Sequence, residues 1–226
     1  MVAGTRATAT EGEAIGRAVE MGKPVLFSTG HAGAGLTSAN AGAHMAGMSM
    51  LSYSATTCAT LGAKIIFVPG FAEMIPMGEN IIQEAYRTAG SEEMISQDMV
   101  RYVSDNPHAY NIGCIAVMRQ EETAANILIG AFWSSDALVI AGAGALTGAV
   151  QIGGGTNIGC VSNFIATCNY VIIGEEVPAA GAYASGDIPM LNSIIAGDYL
   201  KFIIIALAVV GSVLVSFGVD MNWLMT

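Results

Sequence analysis

The chain has 226 residues and a formal net charge of −10 at pH 7, from 18 Asp and Glu against 8 Lys and Arg. Because no basic stripe is available to replace phosphate counterions, this balance excludes nucleic acid as a partner. It also argues against electrostatic binding to anionic lipid.

Apolar runs typical of strands alternate along the chain with segments of helical spacing. In chain order the pattern predicts a helix over residues 11–22, a strand over 24–29, a loop over 30–40, a helix over 43–61, a strand over 64–68, a helix over 77–89, a strand over 100–104, a helix over 107–119, a strand over 126–133, a helix over 135–148, a strand over 150–152, a helix over 157–167, a strand over 170–174, and short helices over 178–184 and 190–195. Apolar strands separated by helices indicate a parallel sheet covered on both faces. The sequence therefore predicts a doubly wound, mostly parallel, six-stranded Rossmann-like α/β domain over residues 1–197.

Residues 202–219 (FIIIALAVVGSVLVSFGV) form an uncharged run of 18 residues. As a helix they would measure roughly 27 Å, close to the thickness of a bilayer core. A buried core helix is the alternative, but Lys201 and Trp223 flank the run as interface anchors do. We expect residues 198–226 to be a single-pass C-terminal transmembrane anchor in membrane lipid, with a short tail. All Lys and Arg precede the run, which favours a cytoplasmic soluble domain.

The cysteines do not suggest a metal site. Cys58, Cys114, Cys160 and Cys168 have no CxxC spacing, and the chain has three histidines. A structural zinc site is therefore not expected, and buried, reduced thiols are the simpler interpretation.

Polar residues follow several of the predicted strands, at the edge where a doubly wound sheet binds its ligands. The candidate ligand-binding residues are His31, Asp105, Ser135, Asp136, Gly153, Gly154, Gly155, Thr156, Asn157, Glu175 and Glu176. Ser135, Asp136 and Asp105 also suit helix capping, which is their alternative role. The adjacent Glu175 and Glu176 suit a helix N-terminus, a ribose hydroxyl or a divalent cation.

The run GGGTNIG at residues 153–159 is the best phosphate candidate, because glycines at a strand-to-helix turn expose backbone N–H groups. It lacks the Lys-Ser/Thr pair of a P-loop and is not GxGxxG. No motif identifies a cofactor or an activated nucleophile.

Four segments carry a family resemblance: EAIGRAVEMGKPV at residues 13–25, VRYVSDNPHAY at 100–110, ANILIGAFWSSD at 125–136 and YVIIGEEVPAAGAY at 170–183. They resemble an uncharacterised prokaryotic family of membrane-associated α/β proteins, a domain of unknown function. The resemblance implies the architecture and membrane association, and it assigns no catalytic residue.

Abundant Gly and Ala with few charged residues leave apolar surface that needs a partner, which predicts a homo-oligomer or a subunit of a larger membrane complex. Two functions follow. The first is a membrane-anchored, self-associating assembly or ligand-binding module without an evident catalytic centre. The second is a nucleotide- or phosphate-dependent enzyme or enzyme subunit that uses the strand-end crevice. The missing nucleophile favours the first.

Overall fold

The computed structural model describes residues 2–186 and 188–216. It divides the chain into two compact units, Met1–Gly186 and Asp187–Thr226. The first unit contains five strands, β1 (Val25–Ser28), β2 (Ile65–Val68), β3 (Ala125–Gly130), β4 (Val150–Gly155) and β5 (Tyr170–Ile173). Its helices are α1 (Val2–Met21), α2 (Ala41–Leu61), α3 (Ile75–Thr88), α4 (Pro107–Gln120), α5 (Ser134–Ala145), α6 (Ile158–Thr167) and α7 (Glu176–Ser185), and the second unit contains α8 (Ile188–Ser216).

All five strands are parallel and lie in the order β2-β1-β3-β4-β5. Val25 of β1 pairs with Ile65 on one side and with Ala125 on the other. This is the flavodoxin-like order of doubly wound sheets, in which the strand order reverses between β1 and β3. The fold therefore places a topological switch point at the carboxyl ends of these two strands.

Helices cover both faces of the sheet. On one face, Leu26 and Leu128 share an apolar core with side chains of α4, α5 and α6, such as Phe164. On the other face α1, α2, α3 and α7 pack together, and Phe67 lies directly against Gly78 of α3. The pleat of a strand sends alternate side chains to opposite faces, so strands with apolar residues at every position suit this layered arrangement.

Local sequence signals set several helix ends. Asn106 caps α4, its side-chain oxygen accepting from the backbone N–H of His108 and Ala109, and Pro107 follows at the first helical position. Gly62 ends α2 in the left-handed conformation, with φ of 75°. All four cysteines are free thiols, and burial raises the pKa of each.

The prediction of a strand over residues 100–104 was wrong, so the sheet has five strands rather than six. Val100 makes only an isolated bridge to Phe67, in which the N–H of Arg101 donates to the Phe67 carbonyl at 2.8 Å, and the Arg101 side chain pairs with Asp98 and Glu121. Tyr102 and Val103 are partly exposed. Residues 100–104 are therefore a segment that crosses the outer edge of β2 and not a sixth strand.

Helix α8 contains a candidate membrane span, Ile195–Ser212, which is long and apolar enough to cross a bilayer by length and composition. The helix is continuous, so the short helix predicted over residues 190–195 is its first part. Lys201 pairs with Asp198 one turn earlier, at 3.2 Å. The end of the predicted span, Trp223 and the predicted tail lie outside the described residues.

Candidate functional site

The carboxyl ends of β1, β2 and β3 meet backbone to backbone. The N–H of Ala131 donates to the carbonyl of Thr29 at 3.0 Å, and the N–H of Ala32 donates to the carbonyl of Ala131 at 2.9 Å. A Cβ atom on Gly30 would lie 2.1 Å from the Ala131 carbonyl oxygen, and one on Gly70 would lie 1.8 Å from that of Gly30. Only glycine permits this approach, so these residues close the switch point and position the side chains around it.

His31 follows β1 and is almost fully buried. Its ring stacks on Phe71, with centroids 4.3 Å apart, and lies 5.4 Å from the ring of Tyr110. Within residues 2–186 and 188–216, neither ring nitrogen of His31 has a hydrogen-bond partner. On the α2 side, His44 Nε2 lies 2.9 Å from the carbonyl oxygen of Ala32, and burial lowers the pKa of His44.

Beside His31, side chains from α4 and α5 form a buried polar group. The hydroxyls of Tyr110 and Ser28 are hydrogen-bonded to each other. Asn111 Nδ2 donates to Asp136 Oδ1 at 2.9 Å, and burial, with a smaller contribution from Asp136, raises the pKa of Tyr110 well above its usual value. Asn111 Oδ1 and Asp136 Oδ2 have no partner. We call Ser28, His31, Tyr110, Asn111 and Asp136 the switch-point cluster.

Of the predicted site residues, His31 lies against the ring of Tyr110, and Asp136 is hydrogen-bonded to Asn111, the next residue of α4. Ser135 is exposed and its hydroxyl reaches Asp136 Oδ1 at 3.3 Å. None of the three residues at the start of α5 forms the expected side-chain cap, because the cap position is Trp133.

The three glycines of the predicted phosphate loop lie inside β4, which continues three residues beyond its predicted end at residue 152. All three are buried. A Cβ on Gly153 would meet the Phe164 ring at 2.5 Å, and one on Gly155 would meet Cys160 Sγ at 2.3 Å. Their small size therefore lets α6 pack closely on the sheet, and phosphate binding by this segment stays a prediction.

Beyond β4, Thr156 and Asn157 are exposed, and Asn157 caps α6 through a 2.8 Å bond from the N–H of Gly159. Glu175 and Glu176 are also exposed at the start of α7, and Glu176 accepts from the N–H of Ile173 at 3.4 Å. Since β4 and β5 are neighbours, these four residues share one stretch of the edge. Asp105 is separate, exposed just before the α4 cap.

The strand-end loops carry one sign of charge. Residues 29–40, 69–74, 102–106, 131–136, 156–158 and 174–176 include no Lys or Arg. They include the carboxylates Glu73, Asp105, Asp136, Glu175 and Glu176. Across residues 2–186 and 188–216, no group of three or more His, Cys, Asp or Glu is arranged to hold a metal ion.

A second feature, absent from the sequence-based candidates, is an apolar surface. Residues 137–174 contain no Asp, Glu, Lys, Arg or His, and they form α5, β4, α6 and the edge strand β5. Large apolar side chains are exposed along these elements, namely Leu138, Val139, Leu146, Ile158, Ile165, Tyr170 and Ile173. We call these seven exposed residues the uncharged face.

Two surface grooves lie elsewhere. One of about 460 Å³ runs beside α3 and is lined by residues that include Glu79, Gln83 and Gln97. The other, of about 440 Å³, lies at the amino edge of the sheet, between Lys23 and Leu146. Neither groove is lined by the candidate residues of the strand ends.

Comparison with known proteins identifies the family. No curated protein and no solved structure matches the chain. The match to the family described as a domain of unknown function, DUF6754, runs over residues 3–225 and so covers nearly the whole sequence. The chain therefore belongs to the DUF6754 family.

Proposed function

We propose that the protein is a membrane-anchored module that self-associates through its uncharged face. The observation that carries the proposal is the exposure of seven large apolar side chains within a run of 38 residues without charge, 137–174. The largest apolar patch on a typical monomer is about 300–600 Å², and larger patches mark interaction sites. Seven large exposed apolar side chains on neighbouring elements that carry no charge are what such an interaction site presents.

A second copy of this chain is the occupant that the charges favour. Each copy carries a net charge of −10, so two copies repel each other least where neither bears a charge. A lipid surface is a poorer partner, because anionic headgroups attract Lys and Arg and this face has none. Symmetric pairing of one surface with itself is also the commonest form of homo-oligomer.

Membrane anchoring through α8 supports the same proposal. Two copies held by the span Ile195–Ser212 would share one membrane, and tethering of this kind raises the effective concentration of one partner around the other. We place the α/β unit on the cytoplasmic side, because Lys201 is at the end of the apolar run that faces that unit in sequence.

The ligand-binding alternative rests on the unpaired polar atoms of the switch-point cluster. The phosphate version of it is less favoured. A nucleotide requires positive charge or free N–H groups. The strand-end loops lack Lys and Arg, and Asn106 and Asn157 already accept N–H groups at two helix starts.

The anchoring is tested by washing membranes that contain the protein with alkaline carbonate. We expect the full chain to stay in the membrane pellet and a variant that lacks residues 187–226 to be recovered in the soluble fraction. A full chain that is released by carbonate, or a truncated one that stays in the pellet, would contradict the anchor.

A further inference from the structure

The carboxyl group of Asp136 is buried without a complete set of partners. Asp136 is 2% exposed, and its Oδ1 accepts from Asn111 Nδ2 at 2.9 Å and from Ser135 Oγ at 3.3 Å. Its Oδ2 has no donor, and among the described residues no Lys or Arg forms an ion pair with it. A buried carboxylate in this condition is costly, because it has lost water and gained no cation in exchange.

Helix capping does not account for this position. Asp136 lies in the first turn of α5, where the partial positive charge of the helix favours a carboxylate. Its hydrogen bonds, however, come from the side chains of Asn111 and Ser135, and no side chain forms a cap bond at the start of α5. Oδ2 is itself buried, so a donor from outside the chain reaches it only when the exposed Ser135 side chain moves aside.

The neighbouring groups show the same excess of acceptors. Asn111 Oδ1 is buried without a donor, and both nitrogens of His31 are unpaired behind Tyr110. Ser135 is exposed, which puts the Asp136 carboxylate one side chain away from solvent.

We propose that the switch-point cluster binds a small organic cation with N–H donors, such as a primary ammonium group, through Asp136 and Asn111. An ammonium group supplies three N–H donors and a positive charge. Asn111 Oδ1 and Asp136 Oδ2 lack donors, and the carboxylate of Asp136 lacks a cation. Phosphate is an anion and an acceptor, so it would add to the imbalance. The proposal is independent of membrane anchoring and of self-association.

The test is thermal unfolding of the full chain in detergent, followed by tryptophan fluorescence, with ethylammonium chloride as the probe. We expect the midpoint temperature of unfolding to rise by about 3–6 °C when the ethylammonium concentration is ten times its dissociation constant. Tetramethylammonium chloride, a cation without N–H donors, and sodium phosphate at the same ionic strength should give no such rise.

Asp136→Asn is nearly isosteric and should weaken the effect of ethylammonium at least tenfold, because hydrogen bonds to charged groups are the stronger ones. Asp105→Asn, the same change at an exposed position of this edge, should leave the effect intact. Asn111→Ala provides a second variant if Asp136→Asn fails to fold, and it should also weaken the effect, because it removes the other unpaired oxygen of the proposed site. No rise with ethylammonium, an equal rise with tetramethylammonium or phosphate, or an unchanged rise in folded Asp136→Asn would each overturn the proposal.

Discussion

At the scale of single residues, Glu11 is an ionisable group buried on the α1 side of the sheet. It is fully buried, its Oε2 lies 2.8 Å from Ser54 Oγ, and its Oε1 has no partner. The same Ser54 hydroxyl also lies 3.0 Å from the carbonyl oxygen of Met50, and a hydroxyl has only one hydrogen. If that hydrogen goes to Met50, the carboxyl must itself be the donor to Ser54. Burial accordingly raises the pKa of Glu11 to about 8.

This pKa predicts a loss of stability with rising pH. The ordinary value is 4.5, so between pH 4.5 and about 8 the unfolded chain loses the Glu11 proton while the folded chain keeps it. The contribution of Glu11 is therefore complete below pH 4.5, declines by about 1.4 kcal/mol per pH unit, and levels off above pH 8. Glu11→Gln should remove this slope, as measured by denaturant unfolding of the full chain from pH 5 to pH 9.

Glu20→Gln is the matched control, because Glu20 is exposed on the same helix. The change of its unfolding free energy with pH should equal that of the unmodified chain. Equal slopes for the unmodified chain and Glu11→Gln would show that Glu11 is ionised in the folded protein and would contradict the assignment.

Single residues also show where sequence reasoning stops. The cap of α4 follows from the letters Asn106 and Pro107, because capping depends on local geometry. The bond from Asn111 to Asp136 joins residues 25 positions apart on two helices. Asn111 and Tyr110 were not candidates for this reason, since within α4 alone they look like ordinary helix positions.

At the scale of elements, most helices and five strands were predictable, because short apolar runs alternate with segments bounded by cap and stop residues such as Asn106 and Gly62. The first half of α1, before residue 11, was missed. The errors have physical causes. Residues 100–104 are apolar enough for a strand, but the segment leaves the sheet after the single bridge at Val100. The glycines of β4 are atypical of strands, yet they pair with β3 and β5 through Gly155 and make room for α6.

The close approach of the strand ends gives an element-scale prediction. Gly70→Ala should destabilise the protein by roughly 1–3 kcal/mol or more, because the added methyl group would overlap the backbone carbonyl of Gly30. Gly16→Ala is the control. It lies inside α1 with nothing within 4 Å of the new Cβ, and it should stabilise by about 0.5–1 kcal/mol. Denaturant midpoints measure the stability change of each variant. Equal changes for Gly70→Ala and Gly16→Ala would contradict the close packing at the switch point.

At the scale of the whole molecule, the sequence predicts a parallel α/β domain followed by an apolar helix, and the structure confirms a parallel sheet and one candidate span. It does not predict the strand order, which depends on how the crossovers pass over one another. The uncharged run 137–174 is visible in the sequence. Only the structure shows that part of it is exposed, because an apolar run can equally be core.

Self-association through the uncharged face is tested most directly by the mass of the protein in detergent micelles, measured by light scattering with the detergent subtracted. We predict a multiple of the 23.2 kDa chain mass for the unmodified protein and a single chain for Leu138→Glu, because a buried charge without a partner would disrupt the interface. Leu61→Glu, at a leucine of similar exposure on α2, should keep the same mass as the unmodified protein. A single-chain mass for the unmodified protein, or an unchanged multiple for Leu138→Glu, would contradict the proposal.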